Sequence, residues 1–279
     1  MTYTEKSTPK KPNKIYLKPV NSGYKGYSGY IGYYLTLPHP LPIIKNHKNF
    51  IKLTLNRNKK VKNMTIDLKR DLEDLFSEFR WNIKGIIDSD NNIYPIPPIP
   101  QVISGIFQEI TKHKVSKLLK EKYECDIVYG GPREYPEITA IGGKFGDRKI
   151  AIDIKTARKN KKGNKISGFT IGSFAGYFLY PEKKMPGCRF PYGEFAEHWI
   201  IGFIYTWNPD ADSLHMVSDV EVIVQPKWKI ASKSTGTGTT FAISSIKDID
   251  KLKNGEGEFK SEKEFEAFWR KRGKEKRKL

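Results

Sequence analysis

Two cysteines, Cys125 and Cys188, are all that this 279-residue chain contains. They lie far apart with no paired spacing, which excludes a disulfide scaffold and a zinc module and suits a reducing compartment. Long apolar runs are missing too. The longest, Trp199 to Phe203, falls far short of the roughly 20 residues a membrane-spanning helix needs. The N-terminus is polar and Lys/Pro-rich where a secretory signal would place its apolar core, so no signal peptide is expected and a cytoplasmic location is. The five histidines, at 39, 47, 113, 198 and 215, show no ligand-like spacing. His198, beside Trp199 and Ile200, reads as a hydrogen-bonded core residue. Acidic residues are the minority, 31 against 50 Lys and Arg, for a net charge of +19. Such an excess favours a polyanionic partner, with nucleic acid the default.

The length can bury a large core, as one domain plus an arm. Residues 1–66 read as an N-terminal extension: a Tyr/Gly/Lys-rich arm to about residue 45, whose Gly23-Tyr24-Lys25-Gly26-Tyr27 near-repeat has no helical or strand period, then a hairpin. Its strands would be Ile51–Leu55 and Val61–Leu68, around Asn56-Arg57-Asn58. Residues 67–279 read as the main domain. Helices are expected from Leu68 to about Phe79 and from Gln101 to Tyr123, with a turn at Asp88–Asn92 between Ile86-Ile87 and Ile93-Tyr94. Strands are expected around Ile127 and over 137–140, 149–156, 169–171, 199–206, 220–224 and 228–231. A capping-box pattern, Ser261 with Glu264, opens a last helix, and Arg270 to Lys278 reads as a frayed, solvated tail.

In Lys149-Ile150-Ala151-Ile152-Asp153-Ile154-Lys155 a carboxylate and an ammonium enter an otherwise apolar strand. Side chains alternate along a strand, so Ala151, Asp153 and Lys155 share one face and the three isoleucines the other. Acid-any-Lys occurs five times, beginning at Asp67, Asp147, Asp153, Glu182 and Glu258. Only Asp153 has an apolar strand around it. Glu137, just after Pro136, stands one strand, one turn and one return strand earlier, so an antiparallel hairpin would bring the two carboxylates together. Two carboxylates and a lysine suit metal-assisted phosphodiester hydrolysis. A buried ion pair of Lys155 with an acid is the structural alternative.

Ser234-Thr235-Gly236-Thr237-Gly238-Thr239-Thr240 alternates glycine with hydroxyls. Such a loop allows close backbone approach to a ligand. It lacks the Gly-Lys-Ser/Thr ending of a nucleotide-binding P-loop.

Taken in order, these blocks resemble the EcoRV-type branch of the type II restriction endonucleases, in the PD-(D/E)xK nuclease superfamily. The likeness runs from about residue 70 to 271. It includes Gly85-Ile86-Ile87, Ile93-Tyr94-Pro95, Tyr135-Pro136, Lys149 to Thr156, Phe169-Thr170 with Gly172, His198 to Gly202, Trp228 with Ile230-Ala231, the Gly236/Gly238 loop, and Phe265 with Trp269-Arg270. The resemblance implies an α/β fold with a mixed sheet of α+β character, a restriction-endonuclease core with flanking helices. It implies Glu137 and Asp153 as metal ligands, Lys155 as the catalytic lysine, Mg²⁺ as cofactor and double-strand breaks leaving 5′-phosphates. It also implies a homodimer on a palindromic site of double-stranded DNA. Gly236, Thr237, Gly238, Thr239 and Thr240 would read the major groove. Arg133, within Gly131–Glu134, would approach from the minor-groove side, and Thr156 would also touch DNA. A cognate DNA methyltransferase would protect the host.

Three positions depart from the family pattern. Glu137 stands where the family has Asp, so its carboxylate reaches one methylene further. Gln108 stands at an acidic position, with Glu109 next to it and turned about 100° away, leaving these two as accessory positions. Thr239 replaces an Asn, and Thr cannot pair bidentately with adenine. GATATC with a blunt cut is the leading expectation for the site, with one base contact changed in chemistry. The alternatives are a repair or structure-selective nuclease of the same superfamily and a non-catalytic DNA-binding protein.

Overall fold

The computed structural model describes residues 66–173, 176–236 and 241–278. The Tyr/Gly/Lys arm, the Ile51–Leu55 strand, most of the 61–68 strand and residues 237–240 lie outside the described residues. Helix α1 (Leu68–Phe76) starts where the Asp67 carboxylate accepts the Arg70 N–H at 3.0 Å. It buries Leu68, Leu72 and Phe76, one residue per turn on a single face. A short hairpin follows, β1 (Ile86–Ile87) with β2 (Ile93–Tyr94). Its turn is tied by Asp88, which accepts from Asp90 N, Asn92 N and the Tyr94 hydroxyl. Helix α2 (Pro100–Tyr123) has proline in its first turn, where no N–H partner is lost, and buries Ile103, Phe107, Val115, Leu119 and Tyr123.

The strands are β3 (Asp126–Tyr129), β4 (Ile138–Ile141), β5 (Lys149–Arg158), β6 (Thr170–Ser173), β7 (Phe195–Trp207), β8 (Val217–Pro226), β9 (Ala231–Thr235) and β10 (Ala242–Ser245). Five form a mixed sheet in the order β3-β4-β5-β7-β8. Only β5 and β7 run parallel. A second sheet, β6-β10-β9, is antiparallel. Ile150, Ile152 and Ile154 of β5 join Ile103, Phe107 and Val115 of α2 in one core cluster, while Ala151 and Ala157 join Ile171, Ile243 and Trp269 in another. Burial on both faces is why β5 reads as apolar from Ile150 to Ile154 apart from Asp153.

Two short elements close the order, α3 (Ile249–Asn254) and the longer α4 (Glu262–Arg277). The Ser261 hydroxyl accepts the Glu264 N–H at 3.1 Å, and Glu264 accepts the N–H of Lys260 at 2.8 Å, one residue before the position a capping box would use. Sequence expectation fails in four places. Trp228 lies in a 3-10 turn, Lys227–Ile230, and strand β9 begins only at Ala231, because Pro226 ends the preceding strand. Residues 270–277 are helical where a frayed tail was expected. Buried Trp269 and Gly273 anchor them, and Arg270 Nε donates to the Phe178 carbonyl at 2.9 Å. Strand β10 and helix α3 were not anticipated.

Candidate active site

The hairpin of β4 and β5 pairs Ile138 with Ile152, so Glu137, the residue before β4, lies opposite Asp153. Beyond that point β4 has turned away through Tyr135-Pro136, a cis peptide bond, while β5 runs on to Arg158 beside β7. The β5 edge from Asp153 onward has thus lost its β4 partner. Glu137 supplies the missing acceptor: its Oε2 takes the Ile154 N–H at 3.0 Å. Its Oε1 faces Gln108 Nε2 of α2 at 3.2 Å and Lys155 Nζ at 3.5 Å. Lys155 Nζ also stands 2.6 Å from Asp153 Oδ2. The expected triad is therefore assembled, and Gln108 belongs with it.

Electrostatics set the two carboxyls apart. Burial, and then the neighbouring Asp153 charge, push Glu137 up to about 8. Burial acts upward on Asp153 as well, yet the Lys155 charge and hydrogen bonds from Glu137 and Lys155 outweigh it and hold Asp153 below its ordinary value. The two carboxyls thus titrate as one unit, Glu137 pushed up and Asp153 held down, since two like charges this close do not both ionise readily. Burial works against the Lys155 ammonium, but Asp153 and then Glu137 reverse the effect and keep it charged.

The other positions are more dispersed. Glu109 turns away and pairs with Lys112 at 3.0 Å on the surface. Thr156 lies on the α2 side of β5, its hydroxyl 3.2 Å from that of Ser104, opposite to the face that carries Asp153 and Lys155. Arg133 is exposed at φ +63° in the turn that precedes Tyr135. Gly236 directly follows β9, its N–H donating to the Ala242 carbonyl at 2.8 Å. A Cβ on Gly236 would come within 2.6 Å of Thr170 Cγ2, so the strand end is packed as glycine permits. Thr237, Gly238, Thr239 and Thr240 lie outside the described residues. A polar groove of about 840 Å³ is lined by Thr170, Ser234, Gly236, Lys165, Lys247 and Lys251.

One group near the site escaped sequence reasoning. Lys227 is 1% exposed, and its ammonium lies 4.4, 5.0 and 5.7 Å from the ring centres of Tyr135, Tyr192 and Tyr177. His198 is buried, stacked on Tyr192 at 4.1 Å and bonded through Nδ1 to the Tyr135 hydroxyl at 2.7 Å, which agrees with the core role expected for it. Burial, with the Lys227 charge adding to it, keeps that imidazole neutral.

A family model described as restriction endonuclease EcoRV matches residues 77–279. The type II restriction enzyme EcoRV of Escherichia coli is 32% identical over 208 residues, which cover 68% of this chain and 82% of that enzyme.

Proposed function

Since this chain belongs to the EcoRV family of type II restriction endonucleases, we propose that Glu137, Asp153 and Lys155 are its active site for cutting both strands of a short palindromic DNA duplex. The supporting observation is the unpaired edge of β5, where two carboxylates and an ammonium converge beside a backbone N–H already bound by Glu137. Mg²⁺ is the proposed cofactor. Among the described residues no group of three or more His, Cys, Asp and Glu gathers, but Mg²⁺ typically takes one or two protein carboxylates and fills its shell with waters and phosphate oxygens. A carboxyl pair forced to share a proton also fits a divalent cation, which would relieve the same repulsion.

Glu137 and Asp153 would hold the ion, which when bound supplies positive charge to the scissile phosphate and the attacking water. Both carboxyls must be ionised to do so. Gln108 donates to Glu137 Oε1 and so orients that carboxylate. Lys155, kept as a cation, is suited to orient water through hydrogen bonds and to offset charge gathering at phosphorus, more than to accept a proton. Products would carry 5′-phosphates.

Five exposed apolar side chains, Ile86, Ile87, Ile93, Tyr94 and Ile99, cluster on and next to the β1–β2 hairpin. An apolar patch of this kind supports the homodimer that a palindromic site calls for. The segment Gly236–Thr240, whose first residue lines a groove with Lys165, Lys247 and Lys251, is the proposed major-groove reader, with Arg133 and Thr156 as further DNA contacts. GATATC cut to blunt ends is the proposed specificity, with a cognate methyltransferase protecting host DNA and the cytoplasm as the compartment. Cleavage of a random-sequence duplex library followed by sequencing of the ends tests this reading. Enrichment of GATATC with flush ends supports it; a different site would place the change at Thr239, and the absence of any common site would refute type II specificity.

A further inference from the structure

Lys227 follows Pro226 at the end of β8, and its side chain is directed into the sheet interior among Tyr135, Tyr177 and Tyr192. Among the described residues its ammonium has no hydrogen-bond partner. Aromatic faces attract a cation through their quadrupole, so three rings hold the charge without tying up any carboxylate oxygen. Room for it comes from Gly172, at φ +121°, where a Cβ would stand 2.9 Å from Nζ. The cage also belongs to the active site's frame. Tyr135 leads through Pro136 to Glu137, and its hydroxyl is fixed by His198.

A buried ammonium with no anion bonded to it is costly. What opposes that cost is chiefly Asp153, whose charge acts on Lys227 across the sheet interior. Burial brings Lys227 down to about 8, which still leaves it mostly charged at pH 7. With both carboxyls ionised to receive a metal, Glu137 and Asp153 bring two negative charges, and Lys155 and Lys227 bring two positive ones. The pocket is then already neutral. A divalent ion entering alone would leave a buried excess of two positive charges, and the phosphodiester of bound DNA would reduce that excess.

We propose that Lys227 is a positioning residue, a caged counter-charge behind the Glu137/Asp153 pair that disfavours divalent metal loading until a DNA phosphate is present. The inference rests on the reading of Glu137 and Asp153 as metal ligands. Lys155 cannot substitute, because it bonds the carboxylates directly. A fixed charge within the same low-dielectric interior acts on a divalent ion with twice the force it exerts on a proton.

Calcium binding to the full-length protein at pH 7, followed by titration calorimetry with and without a non-cleaved duplex, tests this without reading activity. Lys227→Met keeps the stem and removes the charge, and Lys227→Gln serves if the methionine variant does not fold. Replacing a buried, unpaired ammonium in this way is expected to leave the melting temperature unchanged or raised. Without DNA, the variant should bind calcium at least about ten-fold more tightly than the wild type. With DNA, the gap should narrow. Equal affinities without DNA would overturn the proposal. Asp153→Asn separates the two levels: calcium binding that survives in this variant with DNA refutes the ligand assignment itself, whereas binding lost there but equal in wild type and Lys227→Met refutes only the role of Lys227.

Discussion

Glu137 Oε2 accepts the Ile154 N–H at 3.0 Å, so a side chain from the start of one strand takes the hydrogen bond that the departed strand no longer provides. Glu137→Asp should withdraw the carboxylate by one methylene and leave Ile154 without its partner, at a cost of about 1–3 kcal/mol for a buried N–H. The expected outcome is a lower melting temperature and weaker cleavage. A variant as stable and active as the wild type would show that the Ile154 bond does not position the carboxylate.

Asp153→Ala and Lys155→Ala should each reduce cleavage by at least about a hundred-fold, the scale of losing a positioned electrostatic or acid–base group. Affinity for the duplex, measured by fluorescence anisotropy, should change little, because phosphate contacts elsewhere dominate binding. Full activity in either variant would remove the proposed site.

The raised Glu137 titration makes stability depend on pH. Its folded value, about 8, exceeds the ordinary 4.5, so between these the folded chain keeps a proton that the unfolded chain has released. The associated stability is fully present below 4.5 and is lost as pH rises through 8. In chelator, the melting temperature should fall between pH 6 and pH 9, and Glu137→Gln should flatten that decline. A decline of the same slope in both proteins would place the titration elsewhere.

Gln108→Glu would put a third carboxyl 3.2 Å from Glu137 in place of an amide donor. Like charges at this distance raise the protonation midpoint of the cluster, and three acids offer a divalent ion more than two. Calcium affinity should therefore rise at pH 8, measured calorimetrically with DNA present. An unchanged affinity would mean that position 108 does not face the ion.

Ile86→Asp with Ile93→Asp places charge on the patch at two positions that are 56% and 57% exposed, so the fold should tolerate both changes. Sedimentation should then report a monomer, with double-strand cleavage replaced by slow nicking or lost. A variant that remains dimeric would locate the two-fold contact elsewhere.

Much of the fold was legible because its signals are local. Ile103, Phe107, Val115 and Leu119 mark one helical face, and the apolar run from Ile150 to Ile154 marks a strand buried on both sides. The Glu137/Asp153/Lys155 set was legible for a related reason: charge within such a strand stands out, and the hairpin follows from its spacing. Gln108 was found only as a departure from the family pattern, since an amide on a helix carries no signal of what it faces. Lys227 had none at all. One lysine among 50 basic residues, after a proline and before Trp228, is indistinguishable from a surface charge until three tyrosines from distant segments close around it. The fate of Trp228 and of the helical end after Trp269 likewise depended on tertiary contacts, which override local pattern.

The most direct measurement incubates wild type and Asp153→Ala with unmodified duplex DNA, with and without Mg²⁺, and sequences the product ends. Discrete fragments bearing 5′-phosphates are expected from the wild type with Mg²⁺, and intact DNA in the other three reactions. Discrete fragments from Asp153→Ala, or from the wild type without any divalent ion, would contradict that expectation.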